Sequence, residues 1–461
     1  MHGLNEQELH YVVSRVVNRI KGGQSSAALF DDPDMAVNAA QAAHEQLTKQ
    51  HGLQARTRMI DAMRACARDE AARVSQMAVL ETGLGRVEDK ILKNLLAADK
   101  TPGAEILKPN CVTGDFGLML TERAAFGVIA AVTPCTNPTE TILCNAIGMI
   151  AGGNSVVFNV HPSAKGVCAY FVTRLNEAIV AAGGPAHLLS MIAEPTIASA
   201  NALMAHERVR LVVVTGGPGV VKAAMQSGKR AICGGPGNPP VVVDETADLS
   251  KAGESIVKGA SFDNNIICSD EKEVFCVADV ADRLKQVMVQ KGAVEMRGQE
   301  IARLEKLVLD SGHTNKDWVG KNASVIAQAM GKTVDAGTRL LLCEVDSEDH
   351  PFVKTELLMP VLPFVRSPDV DTAIKQAKKA EQGYRHTAGM YSTNIDALHK
   401  MAVAMDCSIF VKNAPHYSGL GFEGEGHASF TIASPTGEGL TTALSFTRER
   451  RCTLKDHFRV V

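Results

Sequence analysis

Cys268 is marked out among the eleven cysteines of this chain by its neighbours. It lies in SFDNNIICSDEKEVF, residues 261–275, where Asp263-Asn264-Asn265 leads into an Ile-Ile pair, then the thiol, then Ser269-Asp270-Glu271. Flanking polar residues predict a loop or strand end, which would leave the sulfur reachable and able to attack a carbonyl carbon. The other cysteines are expected to be mostly small buried hydrophobes. Cys-His-Asn hydrolysis is one chemistry open to Cys268, but no residue specifies its base. Three further places hold chemistry-capable residues. Asn137, between Thr136 and Pro138, has an amide that can either start a turn or project into a cleft. His161 precedes Pro162 as a strand-end residue. Gly217-Pro218-Gly219 begins a dinucleotide-type glycine pattern, but Lys222 stands where the third glycine belongs, so by itself it reads as a strand-to-helix turn.

These residues need elements to hold them. From Gly127, short β-branched runs alternate with helical stretches: GVIAAVT, SVVFNV (155–160), LLSMIA (188–193), LVVVT (211–215) and RAICGG (230–235). Five strands joined by crossover helices predict a parallel, doubly wound sheet. Such sheets bind ligands beyond the carboxyl ends of their strands, which points to Thr133-Pro134, His161 and Thr215-Gly216-Gly217. A second alternation starts near Pro240 and runs through VFCVAD (274–279), a helix near 280–290, LLLCEV (340–345), PVLPFVR (360–366) and SIFVKN (408–413), predicting a second α/β domain. Upstream, residues from Pro33 to about Leu96 carry helical periodicity with a turn at Glu81-Thr82-Gly83. The tail from Arg448 has strand periodicity and is expected to complete a sheet elsewhere.

The first residues are a separate unit: Leu9, Val12, Val13, Val16, Val17 and Ile20 recur at helical spacing, and KGGQSSA (21–27) reads as a flexible linker. A chain of 461 residues with 45% hydrophobic content can fill two or three domains. A net charge of −3 with no Lys/Arg-rich block argues against a nucleic-acid partner. No signal sequence or 18-residue apolar run is evident, and the cysteines lack metal-binding spacing. Reduced thiols, a cytoplasmic setting, no membrane association and no bound metal are expected.

Taken together, ETGLGRVEDK (81–90), VTPCTNPTETILCNAI (132–147), VVTGG (213–217), GNPPVVVDETADL (237–249), SFDNNIICSDEKEV (261–274), TELLMPVLP (355–363) and SPTGEG (434–439) resemble the aldehyde dehydrogenases. The nearest resemblance is to the CoA-acylating propionaldehyde and acetaldehyde dehydrogenases of bacterial microcompartments, and it covers residues from about 30 to 461. It implies an α/β fold with a Rossmann-type nucleotide-binding domain (30–110 and 126–236), a catalytic domain (237–430) and a small bridging β element (111–125 and 431–461). Residues 1–22 would be an amphipathic targeting helix and linker that engages shell proteins, inside a microcompartment in the cytoplasm. Dimers or tetramers are implied through the bridging element.

By the same resemblance Cys268 is the nucleophile, and Asn137 with the Cys268 backbone N–H forms the oxyanion hole. Thr133, Pro134, His161, Thr215, Gly216 and Gly217 line the nucleotide site, shared in turn by NAD and coenzyme A, and Glu356 holds the nicotinamide ribose. Where the hydrolytic branch has a water-activating glutamate, this chain has Gly234. The implied reaction is NAD-dependent oxidation of a short aldehyde, propionaldehyde before acetaldehyde, with acyl transfer to CoA. Hydrolysis to the free acid is the same-class alternative, and a catalytically silent scaffold the other.

Overall fold

The computed structural model describes residues 28–457. The expected N-terminal helix, its linker at 21–27 and the last four residues lie outside them. The described chain divides into two compact units, one comprising residues 93–234 and 427–457 with the helical layer up to Thr82, the other residues 83–92 and 235–426.

The first unit is built on six parallel strands in the spatial order Leu29–Phe30, Leu189–Ile192, Ser155–Val160, Val128–Thr133, Val209–Thr215, Arg230–Gly234. Helices cover such a sheet on both faces, so its strands read as continuous apolar runs rather than alternating ones. Ser155–Val160 is buried at every position. The five predicted strands are all present, and the two-residue strand Leu29–Phe30 is an addition. Chain order runs outward from Val128–Thr133 in one direction and then returns to its other side. The switch point therefore lies between Val128–Thr133 and Val209–Thr215, where ligand crevices form in this class of sheet. The helices Pro33–Gln50 and Leu53–Thr82 match the expected helical layer, with the second ending at the anticipated turn. The tail strand Thr447–Lys455 pairs antiparallel along the whole of Gly117–Ala125, and Asn110–Gly114 pairs on that strand's other side.

The second unit holds seven parallel strands ordered Ala293–Met296, Leu340–Val345, Val361–Ser367, Glu273–Val277, Pro240–Val243, Thr387–Tyr391, Ile409–Lys412. Its two faces bury separate apolar clusters. Phe275, Val365 and Met390 point to one, and Val274, Phe364 and Tyr391 to the other, as period-two alternation requires.

Candidate active site

Two expectations about cysteine and polarity need correction. Only five of the eleven cysteines are buried, four are half-buried and Cys111 and Cys452 are exposed, so exposure alone does not single out Cys268. The polar residues flanking it are not solvated: Asp263, Asn264, Asn265, Ser269, Asp270 and Glu271 are all buried. Yet from Gly259 to Val277 Cys268 is the one residue that is not. A buried polar scaffold presents this half-buried residue.

That scaffold follows from residue type. Asp263, Asn264 and Asn265 have φ of 45°, 57° and 64°, three successive left-handed residues. Asp and Asn adopt this conformation with less penalty than other side-chain-bearing residues, because their short polar groups bond locally. Here each group is also paired. Asp263 Oδ1 accepts the Arg86 N–H at 2.7 Å and Oδ2 the Lys90 ammonium at 3.0 Å. A Cβ at Gly85, whose φ is +78°, would stand 2.1 Å from Asp263 Oδ1, which explains the glycine in ETGLGRVEDK. Asn264 Nδ2 donates to Gly320 O and Asn265 Nδ2 to Ala260 O and Glu271 O. Lys272, buried, donates to Asn265 Oδ1, Asn265 O and Ile267 O, so one ammonium closes the turn that carries Cys268.

Burial pushes the Cys268 thiol up to about 12, the Glu356 carboxylate pushes in the same direction and the Lys272 charge opposes both. Glu356 itself is raised to about 7 by burial, against the pull of Lys272 and a bond from the Gly237 N–H. Sequence reading missed His386. A Cβ at Gly237 would lie 2.8 Å from the Cys268 carbonyl oxygen and 2.9 Å from His386 Cγ, so only glycine fits between them. Burial drops His386 to about 3, keeping the imidazole neutral. Its Nδ1 lies 2.8 Å from Thr387 Oγ1, and its Nε2 has no hydrogen-bond partner. Cys268, Glu356, Gly237 and His386 each precede one of four adjacent strands, so this cluster sits at the amino edge of its sheet, opposite to the general rule for such sheets.

In the first unit the candidate residues lie at the carboxyl ends of the strands. Thr133 ends one strand, Thr215 the next, and His161 follows the strand on the other side, with Pro134, Gly216 and Gly217 in the adjoining turns. The residues fit a nucleotide. The Thr133 hydroxyl is buried without a partner, and a Cβ at Gly217 or Gly219 would meet nothing within 4 Å, leaving open room at the start of the Pro218–Gln226 helix. His161 is exposed, and its Nδ1 accepts the Ser163 N–H. Thr215 Oγ1 lies 2.7 Å from Thr431 Oγ1, which in turn donates to Asn145. Asn137 stands at the N-cap of the Pro138–Ala151 helix but makes no capping bond. Its Oδ1 instead accepts from the buried Lys93 ammonium at 2.6 Å. Gly234 lacks a positive φ and is glycine for another reason: the Ile432 carbonyl oxygen lies 3.1 Å from where a Cβ would stand.

Residues 7–303 match the model of the aldehyde dehydrogenase family. An acetylating acetaldehyde dehydrogenase of Escherichia coli (strain K12) is 48% identical over 471 residues, covering 99% of this chain and 100% of the relative. A propionaldehyde dehydrogenase of Rhodopseudomonas palustris, solved with bound CoA and an acylated cysteine, superposes with a TM-score of 0.91 at 47% identity, over 93% of this chain and 98% of that one. Another, from the fucose utilisation bacterial microcompartment of Clostridium phytofermentans, gives a TM-score of 0.93 at 44% identity, over 94% of this chain and 100% of that one. With its thiol-bearing turn, its topological switch point and these likenesses along its length, the chain belongs to the aldehyde dehydrogenase family, in the branch of the CoA-acylating enzymes.

Proposed function

We propose that this protein oxidises a short aldehyde, propionaldehyde first and acetaldehyde second, and passes the acyl group from Cys268 to CoA. The observation that carries this reading is the isolation of Cys268 as the only residue not buried between Gly259 and Val277, on a turn held from inside by Lys272. A thiolate at Cys268 adds to the aldehyde carbon, giving a hemithioacetal. The Asn137 amide and the Cys268 N–H hold its oxygen, and loss of one such donor typically costs about 2.7–4 kcal/mol of barrier. When bound, NAD accepts the hydride from that carbon and CoA accepts the acyl group, so the sum is aldehyde, CoA and NAD to acyl-CoA, NADH and a proton. Thr133, Pro134, His161, Thr215, Gly216 and Gly217 hold the nucleotides, and Glu356 the nicotinamide ribose. Gly234 offers no carboxylate to activate water, so the thioester on Cys268 waits for a thiol. Kinetics are ping-pong.

The test is NADH formation from propionaldehyde with and without CoA. Dependence of steady turnover on CoA supports the reading, indifference to CoA indicates hydrolysis, and absence of NADH indicates a scaffold. Residues 1–22 address the enzyme to shell proteins through Leu9, Val12, Val13, Val16, Val17 and Ile20, and place it in a cytoplasmic microcompartment. Their deletion leaves turnover intact and abolishes co-assembly with shell proteins. The Thr447–Lys455 strand, exposed at every position but its first, supports pairing of subunits into dimers or tetramers.

A further inference from the structure

Lys93 and Glu140 are both fully enclosed, and their charged groups lie 3.3 Å apart. Removing two charges from water costs several kcal/mol each, so an apolar pair of the same volume would often be as stable. The pair has a second contact. Lys93 Nζ lies 2.6 Å from Asn137 Oδ1. An ammonium has three donors and no acceptor, so it can face only the oxygen end of an amide. The Asn137 amide is therefore held in one of its two orientations, with the NH2 group on the other side, where one hydrogen reaches Thr136 Oγ1 at 3.2 Å and the second is the one an oxyanion role would use. Asn137 also forgoes the helix cap that an asparagine at this position normally makes. Departure from a local rule where a buried charge takes over is how positioning for function shows itself.

We propose that Lys93, ion-paired with Glu140, is a positioning residue that orients the Asn137 amide for oxyanion binding. The inference rests on Asn137 having that role. Without the cation the amide can rotate its oxygen toward the developing negative charge, and the acylation step loses its donor for part of the time.

The experiment is a double-mutant cycle on the full chain, read as the pre-steady-state rate of NADH formation from propionaldehyde and NAD without CoA. The paired variant Lys93→Met/Glu140→Gln removes both charges together, and is expected to slow acylation about 10–100-fold while leaving the KM for NAD within about twofold. In an Asn137→Ala background the same pair should change the rate by less than about threefold. Lys93→Arg, which still offers only donors, should restore most of the rate, whereas Lys93→Gln, able to accept as well as donate, should not. This second comparison decides the matter if the paired variant fails to fold. A normal rate for Asn137→Ala would sink the reading of Asn137 itself. A slowed Asn137→Ala enzyme in which the pair has its full effect would sink the positioning role alone.

Discussion

Lys272 Nζ lies 2.7 Å from Asn265 Oδ1 and 2.8 Å from the Asn265 carbonyl oxygen, and a third bond to the Ile267 carbonyl at 3.0 Å completes its donor set. A buried ammonium with three neutral acceptors is an unusual use of charge, and it holds a turn that three left-handed residues would otherwise disfavour. Lys272→Met should therefore leave Asn265 Oδ1 and the Asn265 carbonyl buried and unpaired, while the Ile267 carbonyl keeps the Asp270 N–H. A loss of about 2–6 kcal/mol in urea-induced unfolding is expected, each of the two orphans costing about 1–3 kcal/mol. Acylation should fall more than stability alone explains, because the turn presents Cys268. A variant with unchanged unfolding free energy would show that the ammonium does not hold the turn.

Glu356 and Cys268 titrate against each other. The carboxylate raises the thiol, and it is charged only above about pH 7. Glu356→Gln should speed alkylation of Cys268 by iodoacetamide above that pH, where the parent carries the opposing charge, and leave it unchanged near pH 5, where the parent is already neutral. Peptide mapping after timed alkylation separates Cys268 from the other ten thiols. Equal rates for parent and variant across the whole range would contradict the coupling.

Much of this architecture is legible in the sequence. The ten predicted strands of the two parallel sheets are legible because burial on both faces leaves uninterrupted β-branched runs. Ala293–Met296 and Thr387–Tyr391 escape that reading, since AVEM and TAGMY mix small residues, helix formers and a charge, and only their place in the sheet makes them strands. In the candidate site the loop position of Cys268 is legible and its supports are hidden. Asp263, Asn264 and Asn265 read as a solvated loop because their partners Lys90 and Gly320 lie far away in sequence. One signal was available. On the Val87–Lys100 helix Lys90, Lys93 and Asn94 recur at the spacing of a single face and are buried, while Leu92 is exposed, an inverted pattern that marks charged groups recruited inward.

Glu271 gives the stability a pH dependence of known sign. Burial raises its carboxyl from 4.5 to about 8, so its contribution is fully present below about 4.5 and is lost as pH rises through about 8. His416 and His386, both lowered to about 3 by burial, act in the opposite sense, contributing above 6.5 and losing that contribution as pH falls toward 3. Glu271→Gln keeps an oxygen for the His416 N–H and removes the ionisation. The melting temperature of the variant relative to the parent should rise by several degrees between pH 5 and pH 9. A difference that stays flat or falls would show that this carboxyl is not held neutral by burial.

The central claim is that Cys268 carries the acyl group and that water cannot readily remove it. Rapid mixing of the enzyme with propionaldehyde and NAD, without CoA, measures this directly. The account predicts a burst of NADH of about one per active site followed by a slow phase, a propionyl adduct on the Cys268 peptide, resumption of turnover when CoA is added, and no burst for Cys268→Ser. Linear NADH formation from the first turnover without CoA, with free propionate as product, would contradict it.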